Sequence, residues 1–217
     1  MPQFKIPEIT VERLSIYLRA LRKFPPDRVL SSEELAEMVG TTGGQVRKDL
    51  AYFGEFGIPG QGYRVKKLVE ELSRILALDR IWGLALVGIG KLGTALLTYP
   101  GLKRKEFKIR AAFDNDPTKI GTRVENVLIR NTEEIPVVLP RLKIQIGIIT
   151  TPAEAAQDVA NKLIQGGVKG ILNFAPVRLM VPKEVKLKNV DLSMELETLS
   201  YFLSKHIKPK KVRGRRK

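Results

Sequence analysis

Three glycines constrain this chain more than any other feature. Gly88, Gly90 and Gly93 stand directly behind the apolar run Leu84-Ala85-Leu86-Val87 and directly before Thr94-Ala95-Leu96-Leu97-Thr98, which reads as helix. Strand, tight turn and helix with G-x-G-x-x-G spacing give each glycine a separate task. The first allows the turn, the second lets the backbone approach a pyrophosphate, and the third lets helix pack on strand. Amides at the helix start then face the phosphates, so Gly88, Ile89, Gly90, Lys91, Leu92 and Gly93 form a candidate cradle. A second strand-like run, Ile109 to Phe113, ends in Asp114, 24 residues beyond Gly90 and close to where a ribose-binding carboxylate belongs. Asp114-Asn115-Asp116-Pro117 is also rich in turn formers. Taken as the ribose ligand, Asp114 accepts a bond from a hydroxyl and repels a 2′-phosphate, which favours NAD(H) over NADP(H).

Composition narrows the remaining classes. The 217 residues suffice for one large domain or two small ones. There is no cysteine, which excludes disulfides and thiolate chemistry, and His206 is the only histidine, which removes most metal sites and most histidine-based acid–base schemes. No apolar run approaches the ~20 residues of a membrane span and no signal-peptide core opens the chain, so a cytoplasmic protein is expected. The net charge is +15, of which residues 205–217 carry +8. That tail is too polar to pack and is expected to be disordered, either adding salt-sensitive attraction to phosphates or serving solubility alone.

The first 80 residues read as a small helical domain. Pro7-Glu8 opens an amphipathic helix with Val11, Leu14, Tyr17, Leu18 and Leu21 at helical spacing. Ser31 with Glu34 makes a capping box for a helix from Glu33 to Val39 that Gly40 ends. Thr42 with Gln45 repeats the signature and starts a helix through Phe53, stopped by Gly54. Two short helices joined by Gly40-Thr41-Thr42 are a helix-turn-helix signature. The second helix offers Gln45, Arg47, Lys48 and Tyr52 on its polar side, a set able to read base edges and hold phosphate, or simply to be solvated. Phe56 to Val65 alternates around a Pro/Gly turn as a hairpin does, the wing of a winged helix, bringing Gly60, Gln61, Tyr63 and Arg64 near a sugar-phosphate backbone. An amphipathic helix through Leu76 closes the domain.

From Trp82 strands and helices alternate, which argues a doubly wound parallel sheet and an α/β fold. Expected elements are a β segment at Val124 to Ile129, a helix at Thr132 to Leu139, a strand at Ile144 to Ile149, a helix capped by Thr151 and ended by Gly166, and a strand at Lys169 to Phe174. Ligands on such sheets sit beyond the carboxyl ends of the strands, which adds Thr150, Thr151, Pro152, Asn173, Phe174, Ala175 and Pro176 to the candidate site. A last helix, Leu192 to Ser204, carries Leu196, Leu199, Tyr201, Phe202 and Leu203 over much of its surface, as expected of burial against a second subunit. The expected boundaries are 1–80, 81–190, 191–205 and 206–217.

Laid end to end, these segments resemble the redox-sensing transcriptional repressor family Rex over residues 6 to about 205. The likeness rests on Gln45-Val46-Arg47-Lys48-Asp49-Leu50-Ala51-Tyr52-Phe53-Gly54, Gly60-x-Gly62-Tyr63, Gly88 to Gly93, Tyr99-Pro100-Gly101, Phe113-Asp114-x-Asp116-Pro117 and Gly170-Ile171-Leu172-Asn173-Phe174-Ala175-Pro176. The resemblance implies a homodimeric winged-helix repressor that senses the NADH/NAD⁺ ratio, NADH releasing it from a palindromic operator. It further implies that the final helix is exchanged between subunits and that Arg19, Tyr99 and Asp191 form a contact set that changes with ligand. Two positions depart from the family pattern: Pro59 stands where the wing usually has an arginine, leaving Gln61, Arg64 or the tail to compensate, and Leu192 stands where some members place an aromatic.

NAD⁺ and NADH share everything but the nicotinamide ring, and equal binding shifts no equilibrium. Discrimination is therefore expected from a desolvated pocket of Tyr99, Thr150, Thr151, Pro152, the Asn173–Pro176 loop and Leu192 of the partner, which penalises the cationic ring. Two other readings stand beside this one: an NAD-dependent oxidoreductase and a DNA-binding sensor of coenzyme A. The first has a Tyr99-x-x-x-Lys103 pair, but Pro100-Gly101 keeps it off one helical face.

Overall fold

The computed structural model describes residues 6–58, 60–102 and 105–204, so Pro59, Lys103, His206 and the basic tail lie outside the described residues. The chain divides after Arg80 into two compact units.

In the first unit α1 (Glu8–Leu21), α2 (Ser32–Val39), α3 (Gly43–Ala51) and α4 (Val65–Ile75) enclose a core of Leu14, Tyr17, Leu18, Leu21, Leu35, Val46, Leu50, Leu68 and Leu72. Val11, expected on the apolar face, is exposed, and Thr10 points inward instead because its hydroxyl donates to Asp49 Oδ1 at 3.3 Å. Ser31 caps α2 with both bonds of the capping box, and Gly40 ends the helix in the left-handed region at φ +70°. Ser31→Ala leaves an amide of the first turn without its acceptor, so denaturant titration should show a loss of about 1 kcal/mol.

The second capping signature is only half realised. Thr42 Oγ1 accepts from the Gln45 amide at 3.2 Å, but the Gln45 side chain turns to Asp49 and makes no return bond. Helix α3 also stops at Ala51, two residues short of Phe53, whose amide bonds the Leu50 carbonyl in a tighter turn. The wing departs further from the expected hairpin. Among the described residues of the wing only Ile58 and Gly62 bridge, and β2 (Tyr63–Arg64) pairs antiparallel with β1 (Val29–Leu30), a strand not foreseen from the sequence. A Cβ on Gly62 would stand 2.4 Å from the Leu30 carbonyl oxygen, a closeness only glycine permits.

The second unit carries β3 (Trp82–Val87), α5 (Lys91–Thr98), β4 (Phe107–Asp114), β5 (Arg123–Val124), β6 (Val127–Asn131), α6 (Ile135–Arg141), β7 (Ile146–Ile149), α7 (Ala153–Gln165), β8 (Gly170–Asn173), β9 (Lys186–Asn189) and α8 (Leu192–Ser204). The sheet order is β5-β6-β4-β3-β7-β8-β9, every pairing parallel except β5 with β6. Its six parallel strands thus follow the 3-2-1-4-5-6 order of the Rossmann fold, whose switch point lies between β3 and β7. One face packs Ala85, Val87, Phe113 and Ile149 against Ile135, Leu139, Val159 and Leu163 of α6 and α7. The other packs Leu84, Leu86, Ala112 and Ile148 with Leu97 of α5.

Two strands differ from expectation. The single segment at Val124 to Ile129 is a hairpin, turned at Glu125 and Asn126 with φ of +50° and +64°, as a two-residue hairpin requires. Strand β9 went unread because Lys186-Leu187-Lys188-Asn189 is mostly polar, the composition of an edge strand. Helix α8 buries none of its residues: Leu192, Met194, Leu196, Leu199, Tyr201, Phe202 and Leu203 are all exposed.

Candidate nucleotide site and nucleic-acid interface

Val87 and Ile149 are register partners, so Gly88 and Thr150 leave the sheet side by side at the switch point. The three glycines there are distinguishable by geometry. Gly88 turns the chain at φ +94°, a Cβ on Gly93 would stand 2.0 Å from the Gly88 carbonyl oxygen, and a Cβ on Gly90 would meet nothing within 4 Å. The first and third positions are closed by the protein, and the second faces open space. That is the arrangement in which a pyrophosphate approaches the backbone at the second glycine. Gly90 is also the N-cap of α5 and supplies no side-chain cap, so the helix start keeps amides for an anion.

Asp114 ends β4 beside this turn and is almost completely buried. Its Oδ2 accepts from the Ile89 amide at 2.6 Å and lies 3.3 Å from Lys119 Nζ, while Oδ1 accepts from the Asp116 amide at 2.9 Å. Three of about four acceptor positions on a carboxylate are thereby filled. Asp114 fastens the glycine turn and has about one acceptor position left over.

Other expected residues serve as scaffold. The Thr150 hydroxyl lies 2.7 Å from the Gly88 carbonyl oxygen and 3.0 Å from that of Val87, which turns it onto the glycine loop rather than outward. Asn173 is buried, with Nδ2 near the carbonyls of Ala175 and Val177 and Oδ1 accepting from the Ala175 amide, so it shapes the Phe174-Ala175-Pro176 loop from within. Thr151 does not cap α7, because Pro152 holds the N-cap position and makes no side-chain cap bond. Thr151 Oγ1 is instead buried with no partner, an unsatisfied hydroxyl at the mouth of the site.

Tyr99 does not join this group within one chain. It caps the opposite end of α5, about 13 to 14 Å from Gly90 by the helical rise over nine residue steps, and it is exposed. Leu192 is likewise exposed, at the start of α8.

In the first unit, α2 and α3 form the helix-turn-helix, and a groove of about 600 Å³ runs between them and the wing, lined by Glu33, Arg47, Phe56, Gly60, Gln61 and Tyr63 among others. Lys48, Tyr52, Gly60, Gln61 and Arg64 are exposed. Arg47 is exposed but engaged, its Nη1 2.7 Å from Glu33 Oε1, an ion pair that lowers the Glu33 pKa. Tyr63 is half-buried against Gly57, and burial raises its phenol pKa. Gln45 is tied inward, Nε2 donating to Asp49 Oδ1 at 2.8 Å.

Asp49 is a buried anchor of α3 that residue patterning missed. It is fully buried and accepts a bidentate pair from Arg13, Nε at 2.5 Å and Nη2 at 2.7 Å, together with the Tyr17 hydroxyl at 2.8 Å. Burial works to raise its pKa, but the bonds from Arg13, Tyr17 and Gln45 outweigh it and hold the carboxyl below its ordinary value. A signal was present: Val46, Asp49 and Leu50 share the inner face of α3, which places a charge where only a paired one survives.

A winged helix-turn-helix unit followed by a Rossmann unit with a built phosphate turn defines a regulator of the kind that couples DNA recognition to a bound nucleotide. Two protein-family models match, the "Putative DNA-binding protein N-terminus" over residues 5–51 and the "CoA binding domain" over residues 79–177. The chain is 48% identical over 203 residues to the redox-sensing transcriptional repressor Rex of Syntrophobacter fumaroxidans, covering 92% of this chain and 97% of that one. It is 50% identical over 203 residues to the Rex of Desulfitobacterium hafniense, covering 93% and 97%. Among solved structures, RSP in complex with β-NAD⁺ and operator DNA matches with a TM-score of 0.88 at 36% identity over 93% of this chain and 94% of that one. RSP in complex with β-NADH matches with a TM-score of 0.83 at 35% identity, over 93% and 96%.

The chain belongs to the Rex family of redox-sensing transcriptional repressors. Its Rossmann unit therefore serves a regulator, and the oxidoreductase reading is set aside.

Proposed function

We propose that this protein acts in the cytoplasm as a homodimeric repressor, holding a palindromic operator through α3 and the wing of each copy and releasing it when NADH occupies the turn at Gly88–Gly93. The observation that carries the nucleotide half is the pairing of an open Gly90 with a closed Gly93, backed by Asp114 at the neighbouring strand end. The relative RSP supports both ligands, with β-NAD⁺ and operator DNA in one structure and β-NADH in another.

Gly88 to Gly93 and Asp114 meet parts common to the two nucleotides and so contribute no preference. Preference arises where the ring docks. Pro152 follows β7 and Phe174 and Pro176 follow the neighbouring strand β8, so these apolar residues are the ones available to meet the ring beside the unpartnered Thr151 hydroxyl, and an apolar surface there would disfavour a cationic ring relative to a neutral one. Leu192 of a second copy completes it. Helix α8, whose apolar residues no described part of this chain buries, supplies the exchange between copies. Asp191 caps α8, its Oδ1 accepting from the Ser193 amide at 2.9 Å.

The test is an operator gel shift at fixed salt with no nucleotide, NAD⁺, NADH or coenzyme A, on protein whose mass is read by sedimentation. Release by NADH alone from a dimer is expected. Equal retention with saturating NAD⁺ and NADH ends the proposal, and release by coenzyme A alone transfers it to that ligand.

A further inference from the structure

The ribose end of the site holds a cation that the reading above does not use. Lys119 Nζ lies 3.3 Å from Asp114 Oδ2 and 3.3 Å from Asp116 Oδ2, bridging the two carboxylates that follow β4. Asp116 is itself fixed, its Oδ1 accepting from the Thr118 amide at 2.9 Å and the Thr118 hydroxyl at 2.6 Å. Partial burial works against the Lys119 charge, but the bonds to Asp114 and Asp116 more than offset it and raise its pKa.

In Rossmann sites a carboxylate at this strand end takes the ribose 2′-hydroxyl, and a cation close by accommodates a 2′-phosphate. This chain has both, with the cation spent on the carboxylates. We propose that Lys119 is a specificity-determining residue for the adenosine ribose, its ammonium held off a 2′-phosphate by Asp114 and Asp116 together. The inference rests on the dinucleotide reading and deepens it. With the bridge intact the cluster carries one net negative charge and rejects a phosphate. With one carboxylate neutral, the same lysine faces the 2′-position with charge to spare.

Asp116 is the carboxylate to change, because Asn keeps the oxygen that accepts from Thr118, whereas Asp114 also holds the glycine turn. The readout is the ratio of dissociation constants for NADPH and NADH, titrated directly on the full chain. Asp116→Asn should lower that ratio about tenfold, the scale of removing one close charge near a protein surface. Asp116→Asn combined with Lys119→Met should return it to the wild-type value or above. Lys119→Met alone, at a side chain 36% exposed and tolerant of change, should raise it several-fold. A ratio unmoved across these variants while NADH still binds overturns the role of Lys119 and leaves the dinucleotide reading standing. Failure of the wild-type protein to bind NADH or NAD⁺ at all overturns both.

Discussion

Gly93→Ala should bind NADH at least roughly 100-fold more weakly than the wild-type protein and stay on the operator when NADH is added. The new methyl would sit 2.0 Å from the Gly88 carbonyl oxygen, a backbone atom that no rotamer change can move aside. Relief requires α5 to shift away from β3, at about 1–3 kcal/mol in stability. The shift carries the helix-start amides off the phosphate position. The winged-helix unit has its own core, so operator binding persists and a repressor blind to NADH results. Gly90→Ala is the matched control: a Cβ there meets no protein atom within 4 Å, and the backbone sits at φ −81°, open to any residue. Its melting temperature should equal that of wild type while its NADH affinity falls, because the methyl occupies the space left for the pyrophosphate. Calorimetric titration and thermal melts separate the two. Wild-type NADH affinity in Gly93→Ala would remove the close helix–strand contact from the explanation.

Those glycines were legible in the sequence because their spacing is set by local backbone geometry, which a short motif records in full. The same holds for Ser31 and Glu34, whose capping box forms with both bonds, and for Gly166, where α7 stops. What stayed hidden was contributed by distant neighbours. Strand β1 exists because Gly62 lets β2 approach Leu30, a contact across 32 residues. Thr150 lies just beyond β7 as expected, whereas Asn173 is still the last residue of β8, and nothing local says that their polar atoms bind backbone rather than face a ligand. Tyr99 enters the expected site through the family resemblance rather than local spacing, and within one chain it stands at the far end of α5 from Gly90. Helix α8 announced its apolar surface in the sequence, and the structure adds that none of the described residues buries it.

Asp49→Ala should cost the first unit about 3–4 kcal/mol, the usual consequence of deleting one partner from a buried ion pair. The Tyr17 hydroxyl, fully buried, loses its acceptor, and so does the Arg13 guanidinium, whose side chain keeps 23% exposure and can partly rehydrate. Asp49→Asn retains one acceptor oxygen and should cost less. The pH dependence carries the signature of the carboxylate. Because the folded-state pKa of Asp49 is lowered, its contribution is complete at neutral pH and fades as the pH falls below about 4, where the unfolded chain is already protonated. Tyr17 acts at the other limit: burial, then Asp49, raises its pKa, so stability declines above about pH 10, where only the unfolded chain ionises. Urea titrations followed by helix circular dichroism at pH 3 and pH 7 should therefore show a smaller acid loss in Asp49→Ala than in wild type. An equal loss in both proteins would assign the acid sensitivity elsewhere. Since Gln45 is anchored on the same carboxylate, the variant should also bind the operator more weakly at temperatures where it remains folded, which ties a buried charge on α1 and α3 to what the recognition helix presents to DNA.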